Sequence, residues 1–85
     1  MNSKTTPRFW KRFNALPKHI QQLAFKNYQL WLNEPFHRSL HFKRFKRELW
    51  SVRVGIHYRA TGVFLDEHTF RWAWIGSHEE YNKIP

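Results

Sequence analysis

The hydrophobic pattern of the chain changes its period once, at Pro35, and this change most constrains the fold. Before Pro35 the apolar residues recur at helical spacing, and after it they alternate with the two-residue period of strands. Two helices followed by four strands predict an α+β fold, with two N-terminal helices packed on one face of a four-stranded antiparallel sheet. A chain of 85 residues has room for one core, so residues 1–85 are assigned to a single domain.

The first part of the chain is predicted to form two helices, over residues 7–16 and 17–32. Phe9 and Phe13 lie four residues apart and share one side of the first helix. The second helix carries an apolar stripe of Ile20, Leu23, Ala24, Tyr28 and Trp31. The residue before a proline avoids the helical conformation, so this helix is expected to end before Pro35.

Strands are predicted over residues 39–45, 48–54, 58–65 and 69–77. In the second strand Val52 and Val54 share one face, whereas Ser51 and Arg53 share the other. We expect the apolar face to lie under the helices and the opposite face to present Arg53 and Arg59. Trp72 and Trp74, two residues apart, are predicted to share a core-facing side with Phe70.

The charge of the chain predicts an anionic partner. The formal net charge is +9 and the isoelectric point is about 10.5. Self-repulsion at this level weakens a small fold, so nucleic acid is the first candidate partner, and an acidic protein would satisfy the same field. A basic but indifferent surface is the alternative.

The compartment is predicted to be the cytoplasm. The chain has no cysteine, which excludes disulfides and thiolate metal sites and suits a reducing environment. No apolar stretch resembles a secretory signal or a membrane span, so no membrane partner is expected.

Several segments in a fixed order resemble the RelE/ParE superfamily of small toxins from bacterial type II toxin–antitoxin systems. The matching segments are Leu16-Pro17, Asn33-Glu34-Pro35-Phe36-His37, Ser39-Leu40-His41-Phe42-Lys43, Trp50-Ser51-Val52-Arg53-Val54, His57-Tyr58-Arg59-Ala60 and Trp74-Ile75-Gly76-Ser77-His78. Together they extend from about Phe9 to Ile84. No single segment is specific for the superfamily, but the whole set, in this order and at this chain length, is specific for it.

The resemblance implies a toxin that cleaves mRNA, either free or on the ribosome, and that a cognate acidic antitoxin inhibits. Members of this superfamily work without a metal or other cofactor, and they contact operator DNA only through the antitoxin complex. The 2′-hydroxyl of the RNA attacks the adjacent phosphate and the 5′-oxygen leaves. This reaction needs a base, an acid and cations that stabilise the charge on the phosphorane.

Four residues are the candidate catalytic residues. Arg59 matches the arginine that binds the scissile phosphate in the superfamily, and its planar guanidinium suits two phosphate oxygens. Its alternative role is a salt bridge to Glu48 or Glu79. Arg53, on the neighbouring strand, is a second candidate clamp or else a residue that only keeps the sheet soluble.

His78 and Tyr81 follow the last strand. A histidine has an ordinary pKa near 6.5, so His78 can give or take a proton at neutral pH. The alternative is that His78 only forms hydrogen bonds to the backbone at the end of the strand. In relatives a tyrosine near the C-terminus acts as a base or a stacking partner. The alternative is that the Tyr81 ring anchors the tail to the sheet.

A run of basic residues is predicted to bind the RNA backbone. It comprises Lys43, Arg44, Lys46 and Arg47. The alternative is a solvated sheet edge that prevents association with other sheets. Metal binding is not expected, since His37 and His41 lie at a junction broken by proline without a nearby carboxylate.

Two alternative functions stay open. One is a ParE-like inhibitor of DNA gyrase, and the other is a catalytically inert module that only binds its antitoxin. Active ribosome-dependent members carry lysines on the strand that here begins Glu48-Leu49-Trp50-Ser51, and this chain has none there. The missing lysines support the inert module, whereas His78 favours the nuclease over the gyrase inhibitor.

Overall fold

One five-stranded mixed sheet organises the computed structural model, which describes residues 1–85. The strands are β1 (Asn2–Thr5), β2 (Lys43–Lys46), β3 (Leu49–Val54), β4 (Tyr58–Asp66) and β5 (Thr69–Ser77). The helices are α1 (Pro7–Asn14), α2 (Lys18–Asn33) and α3 (His78–Asn82), with a 3₁₀ turn at Arg38–Leu40. The order across the sheet is β1-β5-β4-β3-β2, in which β1 runs parallel to β5 and every other pair is antiparallel.

The predicted α+β class and the two N-terminal helices are confirmed, but the predicted four-stranded antiparallel sheet is wrong. The N-terminal residues form a fifth strand, β1, which pairs in parallel with Thr69–Trp72. This segment is short and mostly polar, and main-chain hydrogen bonds hold it, so no two-residue apolar pattern marks it. The structure also ends in a third helix, α3, that the strand pattern did not predict.

The first predicted strand, over residues 39–45, begins later than expected. The side chain of His37 accepts a hydrogen bond from the Ser39 N–H at 3.2 Å and starts the 3₁₀ turn. Leu40 then inserts its side chain into the core, where it is fully buried. His41 takes the left-handed conformation (φ 48°, ψ 42°), so regular pairing starts only at Lys43.

Helix α1 begins where the sequence supplies a cap. Thr6 accepts a hydrogen bond from the Phe9 N–H, and Pro7 occupies the first turn, where its missing N–H costs nothing. Thr6 also bonds β5 through its N–H to Trp72 O and its hydroxyl to Ala73 O. The cap residue therefore fixes the start of α1 against the edge of the sheet. None of the three helices is long and apolar enough to cross a bilayer.

Trp31 joins α2 to the sheet. Its side chain is 1% exposed, and its ring centroid lies 5.0 Å from Trp72, 5.5 Å from Phe70 and 5.8 Å from Phe42. Aromatic rings at such distances and tilted angles pack favourably beyond the area they bury. This aromatic cluster forms the centre of the core.

The strand register separates a helix face from an open face. The helix face carries Val52, Val54, Ala60 and Ile75, which are buried in the core. The open face carries Ser51, Arg53, Arg59 and Thr61. The predicted assignment of Arg53 and Arg59 to the face opposite the helices agrees with this register.

The prediction that Trp72 and Trp74 share a face is wrong. Thr61 pairs with Trp74, but the next residue, Gly62, pairs with Trp72, so β5 contains one extra residue at Ala73. A bulge of this kind shifts the alternation of side chains by one position. Trp72 therefore packs in the core, whereas Trp74 is buried on the open face, outside the core cluster.

Replacing Trp31 with alanine is expected to lower the free energy of unfolding by about 3–5 kcal/mol, because a buried aromatic leaves a cavity. Phe25→Ala on the same helix is the matched control. Its side chain is 59% exposed, so a change below about 1 kcal/mol is expected. Urea denaturation of both variants measures the difference, and equal losses would contradict the role of Trp31.

Candidate functional site

Arg53 and Arg59 lie directly opposite each other on the open face, as a cross-strand pair of β3 and β4. Like charges in this position destabilise a sheet. No acidic side chain compensates them: the ion pairs of the structure are Arg12 with Glu80 and His68 with Glu67. Arg59 therefore does not form the alternative salt bridge to Glu48 or Glu79. We call these two residues the arginine pair.

Backbone carbonyls, rather than acids, hold the Arg59 side chain of the arginine pair in place. Arg59 Nη1 donates to Tyr58 O at 2.8 Å and to Gly55 O at 3.3 Å, which ties the guanidinium to the β3–β4 turn. Arg53 Nε is buried without a hydrogen-bond partner. Burial, and then the charge of Arg53, lower the pKa of Arg59, while Tyr81 acts in the opposite direction. A guanidinium stays charged at neutral pH, so the pair is a fixed double positive charge.

A capping box positions the C-terminal helix. Ser77 Oγ accepts a hydrogen bond from the Glu80 N–H at 3.1 Å, and Glu80 Oε1 accepts one from the Ser77 N–H at 3.0 Å. The sequence Ser-His-Glu-Glu has the spacing that produces this motif. The box starts α3 at His78, whose N–H donates to His57 O at 2.7 Å.

The structure brings His78 and Tyr81 together on α3. Their rings stack with centroids 6.0 Å apart and planes inclined by 22°. The Tyr81 hydroxyl donates to Ser51 Oγ at 3.1 Å, and its ring lies 4.9 Å from that of Phe45. Tyr81 therefore lies across the open face beside the arginine pair, with its hydroxyl engaged by β3.

Arg12 ties α1 to α3 around the free edge of β5. Its Nε donates to Ile75 O at 2.7 Å, and its Nη2 donates to Glu80 Oε2 at 2.8 Å. The guanidinium also lies 4.9 Å from the centroid of the Trp74 ring, a cation–π contact. The hydrogen bond from the Ser77 N–H, and then the one from Arg12, lower the pKa of Glu80 to about 2.

The predicted basic run lies on β2, at the edge of the sheet, and in the following turn. Lys43 pairs with Ser51 and so stands on the open face, whereas Arg44 pairs with Trp50 on the opposite side. Lys46 Nζ donates to the Ile84 carbonyl, and Arg47 occupies the turn with φ 48°. Lys46 pairs with Leu49 and so also stands on the side of the arginine pair, but its amino group is engaged by the C-terminal tail, which leaves Lys43 as the free cation of β2 on that face.

His41 is a residue of the site that the sequence reasoning missed. In the sequence it belongs to the segment Ser39-Leu40-His41-Phe42-Lys43 and forms a pair with His37, and no three His, Asp or Glu side chains gather in the structure in a way that could hold a metal ion. The charge of Arg53, followed by desolvation, Lys43 and Arg59, lowers the pKa of His41. His41 lies two residues before Lys43, so strand alternation would place both on one face, and this spacing is the signal that could have found it.

A second feature lies on the other side of the molecule, between α1 and α2. It is an apolar groove with a volume of about 180 Å³. We call it the α1–α2 groove, and it is lined by Phe9, Trp10, Phe13, Ala24, Phe25, Tyr28 and Trp31 together with residues of the sheet. Trp10 and Phe25 remain 46% and 59% exposed at this groove, so the groove and its rim form one continuous apolar surface.

The chain matches known toxins by sequence profile and by fold. Residues 18–83 match the family model described as a ParE-like toxin domain. Comparison with curated protein sequences gives no significant match. The chain thus belongs to the family of ParE-like toxin domains, and the predicted membership of the RelE/ParE superfamily of toxins is confirmed.

Solved structures share the fold. A chain of the RelB–RelE antitoxin–toxin complex from Methanococcus jannaschii superposes with a TM-score of 0.74 at 19% identity, covering 96% of this chain and 99% of that one. YafQ from Escherichia coli gives 0.75 at 11% identity, covering 94% and 96%. A chain of the toxin–antitoxin complex RelBE2 from Mycobacterium tuberculosis gives 0.72 at 21%, covering 91% and 96%.

Replacing Glu80 with glutamine is expected to lower the free energy of unfolding at pH 7 by about 1 kcal/mol, the usual value for an exposed cap or ion pair. The folded-state pKa is about 2, below the ordinary 4.5. The stabilisation is therefore present above pH 4.5 and is lost as the pH falls towards 2. Denaturant unfolding at several pH values measures it.

Glu79→Gln is the control for this prediction, because Glu79 lies in the same helical turn and forms no ion pair in the structure. The Glu80 variant should differ from it at pH 7 and approach it near pH 2. A difference that does not change with pH would contradict the assignment.

Proposed function

We propose that the chain is the toxin of a type II toxin–antitoxin system and acts as a metal-independent endoribonuclease on mRNA. The observation that carries this proposal is the arginine pair. Two guanidinium groups are placed side by side at a cost in stability, without an acidic partner. A phosphate group between them would relieve the repulsion and engage the free N–H groups.

The reaction proposed is attack of a 2′-hydroxyl on the adjacent phosphorus. As the new O2′–P bond forms, the P–O5′ bond breaks, which leaves a 2′,3′-cyclic phosphate and a 5′-hydroxyl. Arg53 and Arg59 stabilise the charge that develops on the phosphorane oxygens. His78 donates a proton to the leaving 5′-oxygen at the α3 side of the site, and a base on the opposite side of the phosphorus takes the proton of the 2′-hydroxyl. Tyr81 holds α3 against β3 through Ser51 and offers its ring to the RNA.

The basic β2 edge extends the proposed RNA surface beyond the arginine pair. Lys43, Arg44 and Arg47 are exposed, and none of them forms an ion pair. Each neutralised phosphate releases counterions, so RNA affinity is expected to fall steeply with salt.

The arginine pair also favours a nuclease over a gyrase inhibitor. Inhibition of gyrase requires only a protein-binding surface, and it gives no reason for two facing arginines without an acidic partner.

The partner proposed is an acidic antitoxin, a segment of which occupies the α1–α2 groove. Three of the structures that share the fold come from antitoxin–toxin complexes. The groove is apolar, and Arg8, Lys11 and Lys26 lie close in sequence to its exposed aromatics, Trp10 and Phe25. An amphipathic helix with apolar anchors and acidic flanks fits this combination.

Arg59→Ala is expected to lower kcat/KM for RNA cleavage by about 10²–10³, since it removes a charge-stabilising donor from the transition state. The measurement is cleavage of a labelled single-stranded RNA, free and on ribosomes, in EDTA. Arg71→Ala is the matched control: Arg71 pairs with Val63 on the open face but lies near the opposite end of β5. The products should end in a 2′,3′-cyclic phosphate.

Induced expression in bacteria separates the proposed function from its alternatives. The nuclease predicts growth arrest with cut transcripts, which Arg59→Ala or His78→Ala relieves. Filamentation and DNA damage with intact transcripts would instead identify a gyrase inhibitor. Unimpaired growth, together with uncut RNA in vitro, would leave only an antitoxin-binding module.

Phe25→Ala is expected to raise the Kd for the product of the adjacent antitoxin gene by about tenfold or more, because a buried aromatic anchor contributes over about 1 kcal/mol. Isothermal titration measures the Kd. Phe36→Ala is the control, since Phe36 is 65% exposed and lies outside the groove. An adjacent gene product that neither binds nor raises the Tm of the toxin would overturn the antitoxin proposal.

A further inference from the structure

We propose that His41 is a catalytic residue of this site and the general base that takes the proton from the attacking 2′-hydroxyl. The inference rests on the proposed ribonuclease function and adds a reacting group on the side of the arginine pair away from α3. Three independent features support it: the position of His41 in the strand register, its electrostatic surroundings and its backbone conformation.

The register places His41 in line with the arginine pair. Lys43 pairs with Ser51, where the pairing of β2 and β3 begins, and an extension of this register by two residues along both chains reaches His41 and Arg53. Arg53 pairs with Arg59, and Arg59 with Gly76. A single row across the open face therefore runs from His41 through the two arginines to the end of β5, where His78 follows.

This row has the geometry that cleavage requires. The attacking 2′-oxygen and the leaving 5′-oxygen approach and depart on opposite sides of the phosphorus. A phosphate bound by the arginine pair then presents one oxygen towards His41 and the other towards α3. Three strand spacings of about 4.8 Å separate the ends of the row, roughly 14 Å, so an imidazole from each end can reach the centre.

The charges around His41 suit a base. Each group that acts on it is a cation: Arg53 from β3, Lys43 from β2 and Arg59 from β4. They lower its pKa below 6.5, with Arg53 as the largest cause. His41 is therefore neutral at pH 7 and able to accept a proton, which it then releases to water after the cyclic phosphate has formed.

The backbone of His41 presents the side chain to solvent. The residue closes the 3₁₀ turn with φ 48° and ψ 42°, a conformation that costs a residue with a side chain about 1 kcal/mol or more. Its neighbours Leu40 and Phe42 are buried, whereas His41 is exposed. Two buried anchors thus fix the position of one exposed imidazole beside Arg53.

His41→Asn is the variant of choice, because asparagine tolerates the left-handed conformation and carries no titratable group. We expect kcat for RNA cleavage to fall by about 10²–10⁴ while KM stays near the wild-type value. The acidic limb of the wild-type pH profile, set by a group with a pKa below 6.5, should disappear. His41→Gly, which relaxes the backbone, should show the same loss, and His19→Asn on α2 should behave as wild type.

A second measurement does not depend on cleavage. In an NMR titration of the whole protein, the His41 imidazole should titrate below 6.5, and Arg53→Ala should raise its pKa. An unshifted His41, or no response to Arg53→Ala, would overturn the proposal.

The outcomes separate this proposal from the proposed function. If Arg59→Ala abolishes cleavage but His41→Asn keeps the wild-type kcat and pH profile, His41 is not the base and the nuclease stands. If the wild-type protein cuts no RNA, free or on ribosomes, both are overturned. Equal loss in His41→Asn and in the His19→Asn control would also contradict a specific role.

Discussion

The register between β3 and β4 is the constraint on which the candidate site depends. Val52 and Val54 must lie under α2 for the core around Trp31 to close, and Ala60 pairs with Val52 on the same side. Since side chains alternate along a strand, this burial forces Arg53 and Arg59 onto the other face. A slip of one residue would bury both guanidinium groups and expose the core. The same apolar contacts that stabilise the fold therefore assemble the arginine pair.

The cost of the arginine pair is met elsewhere in the structure. Two facing cations oppose folding, and the net charge of +9 adds general repulsion. The aromatic cluster around Trp31 supplies the compensating burial. The one close ion pair of an arginine, between Arg12 and Glu80, lies beside the site and not within it. The apolar core and the arginine pair thus lie on opposite faces of one sheet.

The two N-terminal helices and the last three strands could be predicted from the sequence, because each carries a regular apolar period of its own. Strand β1 could not, since it depends on parallel pairing with a segment more than sixty residues away. Helix α3 could have been found from the Ser77 and Glu80 capping spacing. The position of Trp74 could not, because a bulge leaves no mark in a sequence that still alternates.

The candidate site was predictable in part, for a related reason. The face on which Arg53 and Arg59 lie follows from the alternation of side chains along their strands. Alternation gives no information about which residues of two different strands lie side by side. The relation of His41 to Arg53 depends on how two strands align, and β2 was predicted to begin before His41 rather than after it. The sequence therefore predicts His41 inside a regular strand, whereas its left-handed backbone places it before the strand begins.

The lysines that are missing from β3 have a structural counterpart on the neighbouring strand. Lys43 stands opposite Ser51 on the open face, one strand spacing of about 4.8 Å from where a β3 lysine would lie. Lys46 is not available as a second replacement for these lysines, because its amino group donates to the Ile84 carbonyl and holds the C-terminal tail. A long, flexible lysine side chain can cover such a displacement, whereas a planar arginine clamp cannot. The absence of lysine from β3 is therefore a weaker argument for an inert protein than the sequence alone makes it.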